Sequence, residues 1–178
     1  MFDTTGYDGS CTWCSRDRGN GNNRFFGQVV KITAIVNATT ASFTPPLYQT
    51  YNPSFDLRAV KAAASFRRGI SIENLKVDNA GYFAKYIVDS LGLLDSVISG
   101  IEIDGLDDSS NSSMFRFRCT AFLTVKDSYW HNTQGNSSSA NYGLWFMFGC
   151  SANLVVNNAI YDVYLPFATE GGPNSGSV

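Results

Sequence analysis

The chain has 178 residues and a mass of 19.5 kDa, with 13 Lys and Arg against 15 Asp and Glu, a net charge of −2. That length suits one domain with a sizeable core, and the near-neutral balance excludes a basic nucleic-acid or membrane-surface binder. The longest nearly unbroken apolar run, Tyr142 to Cys150, is too short to span a bilayer, and Met1-Phe-Asp-Thr-Thr-Gly has neither the basic nor the apolar region of a signal peptide.

Residues 1–56 read as an N-terminal loop and β-hairpin region, and residues 57–178 as one continuous run of β coils. Ser (20), Gly (16) and Asn (15) break short Val- and Ile-rich runs, a mixture that fits short strands with frequent turns and makes the chain all-β. In the N-terminal region, Cys11-Thr-Trp-Cys14 is half a zinc site with no second half, so it reads as a local disulfide or a pair of free thiols. From Leu57 to Phe66, Ala62-Ala63-Ala64 favours helix, but the stretch runs straight into a strand-like segment and is read as strand or irregular.

Four segments then repeat: Ile72-Glu-Asn74, Ile98-Ser-Gly100, Val125-Lys-Asp127 and Val156-Asn-Asn158, at offsets of 26, 27 and 31 residues. Each places a small residue tolerant of the left-handed conformation after an apolar residue and a spacer. Unequal spacing at such a period indicates a solenoid with variable loops. A second row precedes each following bend: Lys85-Tyr-Ile87-Val, Met114-Phe-Arg-Phe117, Leu144-Trp-Phe146-Met and Leu165-Pro-Phe167-Ala. Cys119 and Cys150 share the 31-residue offset, so they are expected to stack inward on neighbouring rungs, as thiols or as a bridge. After Leu165 the chain reads as the start of another rung. The expectation is a fragment of a longer helix, or a partner that caps the C-terminal coil.

The runs Gly69-Ile-Ser-Ile-Glu-Asn74-Leu-Lys-Val and Ser96-Val-Ile-Ser-Gly100-Ile-Glu-Ile resemble coils of the right-handed parallel β-helix, or pectin-lyase-like, superfamily. The stretch Gly27 to Ile35, followed by Ala41 to Tyr48, is similar to the strand pair that precedes the coils in secreted and phage-tailspike members. The resemblance spans residues 25–178. It implies a right-handed parallel β-helix and an extracellular or cell- or virion-surface protein. Its function is then to bind, and in a catalytic version cleave, a polysaccharide by lyase or glycoside hydrolase chemistry. A non-enzymatic structural or receptor-binding rod is the alternative. The motifs of polygalacturonase-like members are missing: His131 sits in Trp-His-Asn, and Asp107-Asp108 is a lone pair that reads as a solvated turn, or as a place for calcium or a sugar. Arg116 and Arg118 flank Phe117, but neither matches the proton-abstracting arginine of pectate-lyase-like members. No other cofactor and no metal site is expected.

Alternation after the bend sends Leu75, Val77, Ile101, Ile103, Ser128, Trp130, Ala159 and Tyr161 inward. Two outward columns follow: Lys76, Glu102, Tyr129 and Ile160, then Asp78, Asp104, His131 and Asp162. Alternate members lie about 9–10 Å apart at ~4.8 Å per rung, near the ~6.5–9.5 Å between carboxyls of an inverting glycosidase. Asp104, His131 and Asp162 are therefore the candidate acid/base residues, and Asp78, Glu102 and Tyr129 the candidate substrate contacts. The competing reading of both columns is a solvated polar ladder. Tyr48, Tyr51, Tyr142 and Trp145 offer further rings for sugar stacking. The polar loops Ser109–Ser113 and Ser137–Asn141 share one side of the repeat. Asn37-Ala-Thr, Asn111-Ser-Ser and Asn136-Ser-Ser are glycosylation sequons in predicted turns.

Overall fold

Three parallel sheets wind around one apolar core, and the alternation in each strand decides which side chains enter it. The computed structural model describes residues 2–3, 16–17, 23–24, 26–48, 66–79, 84–106, 112–133, 141–147 and 149–170. Ahead of the coils, β1 (Phe2–Asp3) pairs antiparallel with β4 (Phe26–Gly27), and β2 (Arg16–Asp17) with β3 (Asn23–Arg24). An exposed antiparallel hairpin follows, formed by β5 (Lys31–Asn37) and β6 (Thr40–Thr44). The region Leu57 to Ser65 lies outside the described residues.

The first coil holds β7 (Arg67–Arg68), β8 (Ser71–Asp78) and β9 (Tyr86–Leu91). The second holds β10 (Leu93–Leu94), β11 (Val97–Leu106) and β12 (Ser112–Arg118). The third holds β13 (Thr124–Lys126), β14 (Tyr129–Thr133) and β15 (Asn141–Met147). The fourth holds β16 (Leu154–Val156), β17 (Ala159–Tyr161) and β18 (Leu165–Glu170). All pairings between coils are parallel, so the chain is an all-β solenoid of about three turns. One broad sheet stacks β8, β11, β13 with β14, and β16 with β17. The other stacks β9, β12, β15 and β18. The third, short sheet continues from β7 and β10 through Ala121 and Ser151. Among the described residues no helix is long and apolar enough to cross a membrane.

The corners are made by backbone conformation. Among the described residues, nine non-glycine residues and five glycines have positive φ, and all fourteen fall into four columns along the stack. They are Asn74, Gly100, Asp127 and Asn157; Gly105, Asn132 and Asp162; Gly92, Cys119 and Gly149; and Gly69, Asp95, Phe122 and Ala152. Position 100 needs glycine for two reasons: its φ is +63°, and a Cβ there would lie 2.6 Å from Asn74 Oδ1.

A residue in the left-handed conformation turns its neighbour's amide out of the ladder, and a polar side chain from the next coil takes that amide up. Ser96 Oγ accepts from the Ile70 N–H at 3.1 Å, and Ser128 Oγ from Ile101 at 3.0 Å. Asn153 Oδ1 accepts from Leu123 and Asn158 Oδ1 from Ser128, both at 3.0 Å. The Ile101 and Leu123 amides are buried and would otherwise be unpaired. The core itself stacks like on like: Ile72, Ile98, Val125 and Val155 form one column, and Val88, Phe115, Leu144 and Phe167 another. Phe115 meets Trp130 edge-on at 5.0 Å, joining the two broad sheets.

The register of the last coil differs from the expected one. Val125 pairs with Val155, and His131 with Tyr161, so the offset is 30 residues and Asn157, not Asn158, takes the corner. Ala159 and Tyr161 consequently face outward and Ile160 inward. Val155-Val156-Asn157-Asn158 consists of two doublets, so a frame slipped by one residue satisfies the same sequence pattern. The same offset pairs Cys150 with Thr120 rather than with Cys119, and the two buried cysteines are not bridged to each other.

Candidate functional site

The outward columns of the first broad sheet are Lys76, Glu102, Tyr129 and Ala159, and beside them Asp78, Asp104, His131 and Tyr161. Two residues apart on each strand, they share one face. The ladder therefore brings together Asp78, Glu102, Asp104, Tyr129 and His131. Asp162 does not join them: it sits one column over, at a corner with φ +51°, where its carbonyl accepts from the Thr133 N–H at 2.9 Å. Asp104 and Asp162 thus do not face each other across His131, and the expected carboxyl pair is not formed. Tyr161 takes the vacated position and is 66% exposed. Sequence reasoning missed it because the Val-Val-Asn-Asn doublets hide the frame.

His131 is the centre of this face. Nδ1 lies 3.3 Å from Asp104 Oδ1 and Nε2 lies 3.5 Å from Glu102 Oε1, so the imidazole is held between two carboxylates of the preceding coil. Its ring stacks on Tyr129 with centroids 4.2 Å apart and 18° between planes, which leaves the His131 side chain only 10% exposed. Asn132 Nδ2 donates to Asp104 Oδ1 at 2.7 Å. Lys76 Nζ donates to Glu102 Oε1 at 2.7 Å, and that hydrogen bond above all holds the Glu102 carboxyl below its ordinary range and the Lys76 ammonium above its own. Glu102 is thereby an ionised acceptor, the opposite of a general acid.

The second broad sheet carries a different set on its outer face. Arg116 Nε donates to Asp89 Oδ1 at 3.0 Å, Arg118 Nη2 donates to the same carboxylate at 2.9 Å, and the Arg116 guanidinium lies 3.4 Å from the Tyr86 ring centroid. Burial pushes the Asp89 carboxyl up, but the two guanidiniums outweigh it and hold the group below the usual range. Tyr142 stacks on Trp145 at 4.4 Å, and Trp145 is buried rather than displayed for a ligand. Tyr48 is exposed.

Burial pushes the Cys150 thiol up to about 11, so this cysteine is an inert packing group. Asn37 lies at the exposed hairpin turn, its Oδ1 accepting from the Thr39 N–H at 2.9 Å. Cys11, Cys14, Tyr51, Asp107, Asp108, Asn111 and Asn136 lie outside the described residues. Of the two polar loops, Ser112, Ser113 and Asn141 are fully buried, and residues 109–111 and 137–140 lie outside the described residues. Among the described residues, no three His, Cys, Asp or Glu side chains are grouped to hold a metal ion. No family model, no curated protein and no solved structure matches the chain.

Proposed function

We propose that this chain is a polysaccharide-binding β-solenoid, working outside the cell or on a cell or virion surface, with the glycan lying across the outer face of the first broad sheet. The observation that carries the reading is Tyr129. The residue is 39% exposed, its ring is fixed by its stack on His131, and Glu102 is its neighbour in the preceding coil. A fixed ring offers an apolar face to sugar C–H groups at little entropic cost, and ionised carboxylates accept from sugar hydroxyls. Binding is favoured over cleavage because Asp162 is absent from the column, so the carboxyl pair expected to flank His131 is not formed.

A glycan array followed by calorimetry on the best ligand tests the proposal, with a reducing-end assay run alongside. Tyr129→Ala should weaken binding by about tenfold, the ~1.4 kcal/mol expected of one sugar–aromatic stack, and no product should form. Failure of the unmodified protein to retain any glycan removes the reading. Release of product that stops in Asp104→Asn replaces it with a catalytic one.

A further inference from the structure

The outward side chains of the first broad sheet change character along the stack. They are Glu73, Lys76 and Asp78 in the first coil, Ser99, Glu102 and Asp104 in the second, Lys126, Tyr129 and His131 in the third, and Val156, Ala159 and Tyr161 in the fourth. In that last coil Leu154, Val156 and Tyr161 are 47%, 44% and 66% exposed. A second apolar surface belongs to the hairpin of β5 and β6. Its register pairs Ile32 with Phe43 and Ile35 with Ala41, and the irregularity between Ile32 and Ala34 brings both pairs onto one face. Ile32, Ile35 and Phe43 are 53%, 72% and 37% exposed. A two-stranded hairpin with an uncovered apolar face is marginal by itself.

The base of the hairpin is tied to the last coil. Val29, just before the hairpin, donates its N–H to Ser151 Oγ at 3.1 Å, and that hydroxyl donates to the Val29 carbonyl at 2.8 Å. Gln28 fastens the returning chain, donating to the Pro46 carbonyl at 2.7 Å and accepting from the Tyr48 N–H at 3.2 Å. Ser151 lies three residues before Leu154, around one corner. Lys31 is the single charge in residues 31–44, and residues 154–161 hold none, so closing one surface on the other buries almost no charge. The six large side chains together expose on the order of 700 Å², close to the ~800 Å² that each side of a stable interface buries.

We propose that a second copy of this chain covers both surfaces, the hairpin face of one copy lying on the outer face of the other's last coil and the reverse. The test is light scattering on the intact chain at micromolar concentration. The expected mass is a multiple of 19.5 kDa. Ile35→Glu and Val156→Glu should each give the single-chain mass with an unchanged circular dichroism spectrum. Mixing the two variants should give association weaker than that of the parent, because only one of the two reciprocal contacts then keeps both faces sound. Should Val156→Glu fail to fold, mixed Ile35→Cys and Val156→Cys chains read the same contact through a cross-linked heterodimer, and its absence overturns the proposal. A single-chain mass for the unmodified protein overturns it as well. So does association that survives Val156→Glu, which would mean pairing hairpin to hairpin or end to end.

Discussion

At the scale of single residues, the four corner columns mix side chains that suit a left-handed backbone with others that do not. Glycine, asparagine and aspartate fill most positions; Cys119, Phe122 and Ala152 are neither glycine nor the short polar residues that favour a left-handed backbone. Two substitutions should therefore move stability in opposite directions. Gly100→Ala should lower the unfolding free energy by about 1–2 kcal/mol, because φ is +63° and Asn74 Oδ1 stands where the methyl would go. Ala152→Gly should raise it by about 0.5–1 kcal/mol, the relief of strain less the added freedom of the unfolded chain. Urea unfolding of both variants beside the parent checks the pair. The same columns explain which part of the candidate site could be read from sequence. Asn74, Gly100 and Asp127 are single corner residues between unlike neighbours, so the frame they set is unique and Asp78, Asp104 and His131 fall into one column as expected. At Asn157-Asn158 two identical residues compete for one corner. What selects between them is the Ser128 amide, which needs an inward acceptor, and such three-dimensional demand leaves no trace in local pattern.

At the scale of elements, coils adhere through two kinds of contact whose removal should differ in kind. Asn153 is buried and serves two coil-to-coil hydrogen bonds, accepting from Leu123 and donating to the Thr120 carbonyl at 3.3 Å. Asn153→Ala should cost about 2–3 kcal/mol, since it strands a buried amide rather than merely deleting a bond. Amide hydrogen exchange at Leu123 should quicken with it, and unchanged protection there would show the amide had another partner. Beside their backbone pairing, β9 and β12 share an ionic contact, with Asp89 serving both Arg116 and Arg118. Its folded carboxyl is held below the ordinary value of 3.8, so its contribution is complete above that pH and disappears as the pH falls through 3.8 and beyond. The gap in urea midpoint between the parent and Asp89→Asn should accordingly shrink with acidification. A gap of constant size down to strong acid would place the effect in packing instead of charge.

At the scale of the whole molecule, the solenoid was legible because its two requirements are both periodic: an apolar residue every second position, and a turn-tolerant residue once per side. Ile72, Ile98 and Val125 meet them without ambiguity. The short sheet was not legible, since Leu93-Leu94, Thr120-Ala121 and Cys150-Ser151 share no residue type and are joined only by closure of the coil. Nor was the use of the N-terminal region foreseeable, because Val29 and Ser151 lie 122 residues apart. One further property follows from the corner amides. In all four cases the acceptor comes from the later coil and the donor from the earlier one. The stack therefore has a direction that matches synthesis. As the chain leaves the ribosome, Ile70, Ile101, Leu123 and Ser128 each wait for residues some 26 to 30 positions downstream, so the most recently formed coil is always the one still open to water, and each new turn seals its predecessor.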